Sequence, residues 1–375
     1  MEISQSPTPP FDKKTDNLFK MKIKNQVNST RRSVMKSLTK NIGKSRYDQH
    51  IPERSSIKRI LISRPNHRLG NLLLLTPLVQ EVMETFPESK IDLFVKGNLA
   101  PCIFSNYKKV DRIIQLPKKP FGNILRYLYV WFLLRNRRYD MVINANQGSS
   151  SGKLSTLFAN SYYKFFGEFN AVLELKHTDY HHIAKQPVYN FRNYSKELGL
   201  AENQGTIPLL DLKLNSNEIK YGGKKLNKII RNNKKTICLF TNATGEKCYS
   251  EAWWRSFYEE LKKEFTAYNI IEILPAENTS KLGFKIPTFY SLNIREIASV
   301  IANTSVFIGA DSGIMHLASA SQTPTVGLFS VTQENTYEPY NKDSLAINTN
   351  KVSNFEIIYL ISHLLSKNTA EKYTI

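Results

Sequence analysis

The run Phe307-Ile308-Gly309-Ala310-Asp311-Ser312-Gly313-Ile314-Met315-His316-Leu317-Ala318 gathers side chains and backbone suited to holding an anion. Its apolar start reads as a buried strand, and beyond the turn Ile314, Leu317, Ala318 and Ser321 fall at helical spacing. Asp311 or Ser312 can cap that helix, and Gly313 leaves room for a ligand to approach the backbone. The first-turn amides have no intrahelical partner and sit at the positive end of the macrodipole, which suits a phosphate. A plain capped helix packed on a strand fits the same residues, because short glycine-containing turns are not specific.

A second loop, Arg64-Pro65-Asn66-His67-Arg68-Leu69-Gly70-Asn71, follows an apolar strand at 58–63 and carries His67, a residue type whose unperturbed imidazole titrates near neutrality. The stretch His177-Thr178-Asp179-Tyr180-His181-His182 invites a metal reading. No cysteine and no second cluster at ligand spacing lies near it, so a polar segment between domains, or one touching substrate, fits better.

Strands must end at these loops. Apolar runs at 58–63, 91–95, 113–114 and 140–143 alternate with helical patterns, and so do runs at 236–241, 269–274, 307–310 and 325–330. This alternation predicts parallel βαβ units, with ligands gathering at the carboxyl ends of the strands. A helix is expected over 72–86, with Pro77 in its first turn, another over 251–265 with Trp254, Phe257, Tyr258 and Leu261 on one face, and a last one over 355–365. Asn293-Ile294-Arg295-Glu296 has the form of a capping box opening a further helix. The organisation expected is a basic arm at 1–56, disordered or partly helical near 33–42; an α/β domain at 57–202; a linker at 203–217; a second α/β domain at 218–345; and a C-terminal helix and tail at 346–375. A cleft between the domains is where function belongs.

The chain of 375 residues has ordinary hydrophobic and charged content, 41% and 22%, but a formal net charge of +20. That balance points to an acidic partner: nucleic acid, anionic lipid or a phosphorylated glycan. Three cysteines without metal spacing fit a reduced compartment. The longest lipid-compatible run, 124–134, is shorter than the roughly 20 residues that span a bilayer. The segment 121–138 sets Ile124, Leu125, Tyr127, Leu128, Tyr129, Trp131, Phe132 and Leu133 among Lys118, Lys119, Arg126, Arg135, Arg137 and Arg138. It reads either as a helix lying in an anionic membrane surface or as a core crossover helix with basic ends. No helix-turn-helix and no aromatic RNA-binding motif accompanies the charge, so nucleic acid is not expected as a partner.

Leu69-Gly70-Asn71, Thr76-Pro77 and Phe86-Pro87, with Asp311 to Ala318 and Pro324-Thr325-Val326-Gly327-Leu328-Phe329, resemble the ADP-heptose:lipopolysaccharide heptosyltransferases, glycosyltransferase family 9, over about 58–340. The resemblance implies a GT-B fold, two Rossmann-like domains with parallel sheets facing across a cleft. It also implies an inverting, metal-independent transfer from a nucleotide-diphosphate sugar such as ADP-heptose, with no cofactor. The acceptor would be lipopolysaccharide or another lipid-linked glycan at the cytoplasmic membrane face. Carried over by position, Asp311, Ser312, Gly313 and His316 match the donor-diphosphate turn, Lys247 a lysine that stabilises the leaving group, and Glu277 an acidic residue near the nucleotide. Thr241 and Thr244 stand in for small hydroxyl residues beside Asn242 and Ala243. Arg64, Asn66, Arg68 and Gly70 fall on the acceptor side. The departure is Asn71, where the family commonly has an Asp proposed as general base; an amide cannot take that proton. His67 is an alternative base, and Asn144 and Asn146 also stand where an Asp is frequent. A non-catalytic sugar-nucleotide or glycan binder is the competing reading.

Overall fold

The computed structural model describes residues 26, 29–30, 33–45, 53–118, 123–200 and 203–370, the side chains of 368–370 excepted. It forms two compact units, 1–43 and 44–375. In the first, residues 33–38 are helical, and Thr39 Oγ1 donates to the Met35 carbonyl at 2.7 Å. Residues 1–25, 27–28, 31–32 and 46–52 of the expected basic arm lie outside the described residues.

The second unit holds two parallel sheets. The first runs β3-β2-β1-β4-β5, with β1 Arg59–Arg64, β2 Lys90–Lys96, β3 Val110–Leu116, β4 Arg138–Asn144 and β5 Asn160–Phe165. The second runs β11-β10-β9-β6-β7-β8, with β6 Thr236–Phe240, β7 Asn269–Ile273, β8 Thr288–Phe289, β9 Val306–Ala310, β10 Thr325–Phe329 and β11 Leu345–Asn348. Every pairing is parallel, as alternating strands and helices require. Of the strands absent from the sequence expectation, β5 mixes Asn, Ser and Lys with its aromatic residues, β8 has two residues and β11 is only partly buried, so none offers the continuous apolar run that marks a central parallel strand.

Expected helices appear with informative differences. The pattern at 72–86 becomes two helices, α1 Leu69–Leu73 and α2 Thr76–Thr85. Pro77 lies at the start of α2, and its ring and missing N–H would disrupt a continuous helix at the Leu73 carbonyl. The crossover between β3 and β4 is α3 Ile124–Asn136, and α4 Ser150–Phe158 follows β4. Helix α5 is Gln186–Glu197. A full capping box, Asn215 with Glu218, opens α6 Ser216–Ile230 at the end of the expected linker. Helix α7 is Glu251–Glu264, with Trp254, Phe257 and Leu261 buried. In α8, Ile294–Ile301, Asn293 caps as expected, but Glu296 accepts from Ser291 Oγ at 2.5 Å, and Ser291 Oγ in turn accepts from the Asn293 N–H. The reciprocal half of the box is relayed through that hydroxyl. Helix α9 is Gly313–Ala320 and α10 is Asn354–Ala370.

One apolar cluster is continuous from Ile60, Ile62 and Leu93 to Phe307, Met315 and Leu317, so the inner faces of both halves share a core. Separate clusters lie on the outer faces. Trp254, Phe257 and Ile361 belong to the second sheet's, and Leu61, Phe94, Val130, Leu134 and Val142 to the first's. Alternation along β1, with Ile60 and Ile62 inward and Leu61 outward, follows from the two-residue period of a strand. Two ionic contacts, the first buried and the second partly so, tie segments together. Arg192 on α5 grips Glu81 on α2 bidentately at 2.7 and 2.8 Å, and Arg295 joins Glu218 to the carbonyls of Cys102 and Leu212. Among the described residues no helix is long and apolar enough to cross a membrane.

Candidate active site

In each sheet the strand order reverses between two neighbours, β1 and β4 in the first and β6 and β9 in the second. Ligands of open parallel sheets bind outside the carboxyl ends of strands at such a reversal, because the connections leave in opposite directions and open a crevice. The loop from Arg64 to Asn71 leaves β1, Lys247 follows β6, and Asp311 to Gly313 follow β9. The residues singled out by chemistry therefore stand at both reversal points.

The β9–α9 turn is built by capping. Ser312 Oγ accepts from the Met315 N–H at 3.3 Å, and the Asp311 N–H donates to the Leu328 carbonyl at 3.1 Å, fastening the turn to β10. Capping by Ser312 leaves the buried Asp311 carboxylate for other work. Its Oδ2 accepts from Lys247 Nζ and from Thr332 Oγ1, each at 2.7 Å. Lys247 is thus held by a carboxylate at the mouth of the turn, with its side chain still 34% exposed.

Helices α1 and α9 meet glycine to glycine. A Cβ on Gly70 would lie 2.8 Å from His316 Cδ2 and 3.4 Å from Gly313 Cα; one on Gly313 would lie 3.2 Å from the Gly70 nitrogen. Beside this contact opens a cavity of about 660 Å³. Arg68, Leu69, Gly70 and Asn71 line it from the first sheet's side. Thr244, Lys247, Asp311, Ser312, Gly313 and His316 line it from the second, with Thr332 and Tyr337 closing the rim.

Burial sets the charge of the groups at this site. It pulls the His316 imidazole down to about 4, against the opposing pull of Asp311 and helped by His182 and Lys247, so the ring is neutral near pH 7. Its Nδ1 is buried without a hydrogen-bond partner. Arg64 is buried at the end of β1, and desolvation brings its guanidinium down to about 10. It donates to the Asn71 Oδ1 at 3.2 Å and the Ala145 carbonyl at 3.3 Å, and its Nε has no partner.

The other predicted residues are placed differently. His67 is exposed and outside the cavity lining; burial first, then Lys96, Lys118 and Arg68, lower its pKa. Asn66 accepts from the Arg68 N–H at 2.9 Å, which shapes the loop. Thr241 is fully buried and donates to Glu272 at 2.5 Å; Ser280 donates to the same carboxyl at 2.5 Å. Glu277 is exposed in the turn after β7 and does not line the cavity. Asn144 braces its loop by donating to the Phe166 carbonyl at 2.8 Å, and Asn146 caps a turn by accepting from the Gly148 N–H. In 177–182, His182 hydrogen-bonds the Glu338 carbonyl at 3.1 Å, His181 pairs with Glu174, and His177 stacks on Tyr189. Among the described residues no group of three or more His, Cys, Asp or Glu is placed to hold a metal ion.

Thr332, Tyr337 and the buried Glu272 were not singled out by the sequence. Thr332 and Tyr337 lie in irregular or one-turn structure after β10, where no periodicity announces a role. Glu272 lies within an apolar strand, and that mismatch was a readable signal.

The sequence profile of glycosyltransferase family 9 (heptosyltransferase) matches residues 129–357, more than half of the chain. The chain belongs to glycosyltransferase family 9. Lipopolysaccharide heptosyltransferase 3 of Escherichia coli is 20% identical over 310 residues, spanning 74% of this chain and 85% of that protein. Among solved structures, a family 9 glycosyltransferase of Veillonella parvula superposes with a TM-score of 0.67 at 15% identity, covering 85% of this chain and all of that one. E. coli heptosyltransferase WaaC with ADP superposes with a TM-score of 0.59 at 16% identity, covering 82% and 99%. The family 9 enzyme described here thus has the GT-B fold, with its two parallel sheets as the Rossmann-like halves. The matched stretch includes Lys247 and the β9–α9 turn and begins after the β1–α1 turn.

Proposed function

We propose that this glycosyltransferase moves a heptose from ADP-heptose to a hydroxyl of lipopolysaccharide or another lipid-linked glycan, with inversion and without a metal, at the cytoplasmic face of the membrane. The carrying observation is the 2.7 Å contact of Lys247 with Asp311 at a cavity of about 660 Å³ into which the capped start of α9 opens. The named relatives, a lipopolysaccharide heptosyltransferase and a heptosyltransferase solved with ADP, supply the substrate class.

In this reading the donor diphosphate lies against the free first-turn amides of α9, with Gly313 admitting it close to the backbone. Neutral His316 offers a hydrogen bond without repelling Lys247. The acceptor hydroxyl attacks the anomeric carbon and releases its proton to solvent water in the cavity, the bond from that carbon to the diphosphate oxygen breaks on the opposite side, and the departing charge falls to the Lys247 ammonium. A fixed cation in a partly dry site stabilises that charge without reorganisation, the task a metal performs elsewhere. Asn71 positions the attacking hydroxyl through its amide, itself held by Arg64.

A nucleotide-release assay over ADP- and UDP-sugars with a lipid-glycan acceptor tests this. Release of ADP from ADP-heptose is expected, with turnover lost in a folded His316→Ala variant; no release from any donor overturns the proposal. The amide at position 71 favours one second reading, a sugar-nucleotide binder without turnover. Donor binding by calorimetry with no release, in wild type and in Asn71→Asp alike, is its signature.

A further inference from the structure

Helix α3 is apolar on two opposite sides. Tyr127, Val130, Trp131 and Leu134, at helical spacing, face the first sheet. Val130 and Leu134 are buried there, and Trp131 packs edge-on against Phe94 at 5.6 Å and Phe158 at 5.7 Å. Leu125, Leu128, Tyr129 and Phe132 repeat the same spacing on the other side and are 78, 58, 57 and 61% exposed. A helix of a soluble domain ordinarily turns a polar face to water, and a helix apolar all round needs a second apolar neighbour. On α4, Leu157 and Phe158 extend the patch, sharing an open apolar hollow of about 430 Å³ with Trp131 and Arg135. Contiguous exposed apolar surface of this kind marks an interaction site.

Charge identifies the partner. From Arg112 to Tyr139 the chain carries seven Lys or Arg and no Asp or Glu. Of these, Arg112, Lys118, Arg126, Arg135 and Arg138 are exposed; Arg126 and Arg135 lie on α3 itself and Arg138 directly follows its C-terminal cap. A two-fold contact between copies of this face would bring one basic rim against another, so self-association is opposed by its own electrostatics. An anionic lipid surface satisfies both features, since acyl chains take Leu125 and Phe132 while headgroups take the arginines and Lys118. The helix has thirteen residues, too short to span a bilayer and long enough to lie in its interface. We infer that the outward face of α3, continued by Leu157 and Phe158, is the surface by which the enzyme docks on an anionic bilayer. This deepens the lipid-linked-acceptor reading by locating the partner surface, but docking is measured with no sugar present, so either can fail without the other.

The test is flotation of the full-length protein with vesicles of phosphatidylcholine alone and with vesicles that also carry phosphatidylglycerol. The expected result is binding to the anionic vesicles and at least about tenfold weaker binding for Leu125→Glu/Phe132→Glu, each change removing a buried apolar side chain from the lipid. Both positions are exposed, and an unchanged thermal melt verifies the fold. Wild type failing to float with anionic vesicles overturns the inference. So does the double variant floating as wild type does, which would place lipid binding elsewhere on the chain. A wild-type dimer in solution that the double variant converts to monomer also overturns it and assigns the face to a second copy.

Discussion

The β1–α1 and β9–α9 turns solve the same backbone problem and balance their charges in opposite ways. Each leaves a strand beside a reversal of strand order, each opens a helix with a glycine near its start, and those glycines touch across the cleft. At β9–α9 the buried Asp311 has two donors, Lys247 and Thr332, both at 2.7 Å. At β1–α1 the buried Arg64 has no carboxylate, only two neutral oxygens at 3.2 and 3.3 Å and an orphaned Nε. One turn is electrostatically complete before any ligand arrives. The other keeps a desolvated cation, a costly arrangement unless something else compensates it. The histidines diverge in parallel: His316 is buried in the glycine contact, whereas His67 stands in the open.

The comparison breaks most visibly at Lys247. Lys247→Ala is expected to lower turnover by about 10²–10³-fold, the range for removing one preorganised charge stabiliser, with folding intact by circular dichroism. Loss of less than about tenfold would detach the paired turn from the chemistry.

Acid should separate the two histidines. The folded-state pKa of His316 is about 4 against an ordinary 6.5, so the unfolded chain takes up the proton first as pH falls. The stability tied to the neutral ring is full above 6.5 and is lost between 6.5 and 4, by an amount of order a few kcal/mol. His182, also near 4 through burial, adds in the same direction. Melting temperature against pH should fall across that window, and a folded His316→Gln variant should show a shallower fall; an unchanged slope would contradict the burial argument.

Asn71→Asp would place a carboxylate beside Arg64 and supply a proton acceptor where this chain has none. A rise of up to about tenfold in kcat/KM for the acceptor is expected, with a new acidic limb in its pH profile. Unchanged rate and profile would show that position 71 only holds Arg64. The smallest effect is assigned to His67→Ala, within about twofold in turnover, because His67 is outside the cavity lining. A loss comparable to that of Lys247→Ala would restore it as the base.

Much of this could be read in the sequence because its signals are local. Parallel strands buried on both faces leave apolar runs, so 307–310 and 325–330 declared themselves, and Asp311-Ser312-Gly313 with His316 announced a capped helix start. Polar or short edge strands such as β5 and β8 left no such mark. The division of 72–86 by Pro77 follows from a local effect, because the Pro ring acts on the carbonyl four residues back and not only on its own turn.

The sequence by itself determined the alternating α/β order, the capped helix start of the β9–α9 turn and the amide at Asn71, since each depends on residue type and near-neighbour spacing. Only the tertiary structure decided which charges meet. Lys247 and Asp311 are 64 residues apart, and Gly70 faces His316 from the other sheet. It also decided that Thr241 serves Glu272, and that one side of α3 finds a core while the other finds none. The reason is physical: desolvation and pairing depend on what the rest of the chain packs against a group, and no local spacing carries that information.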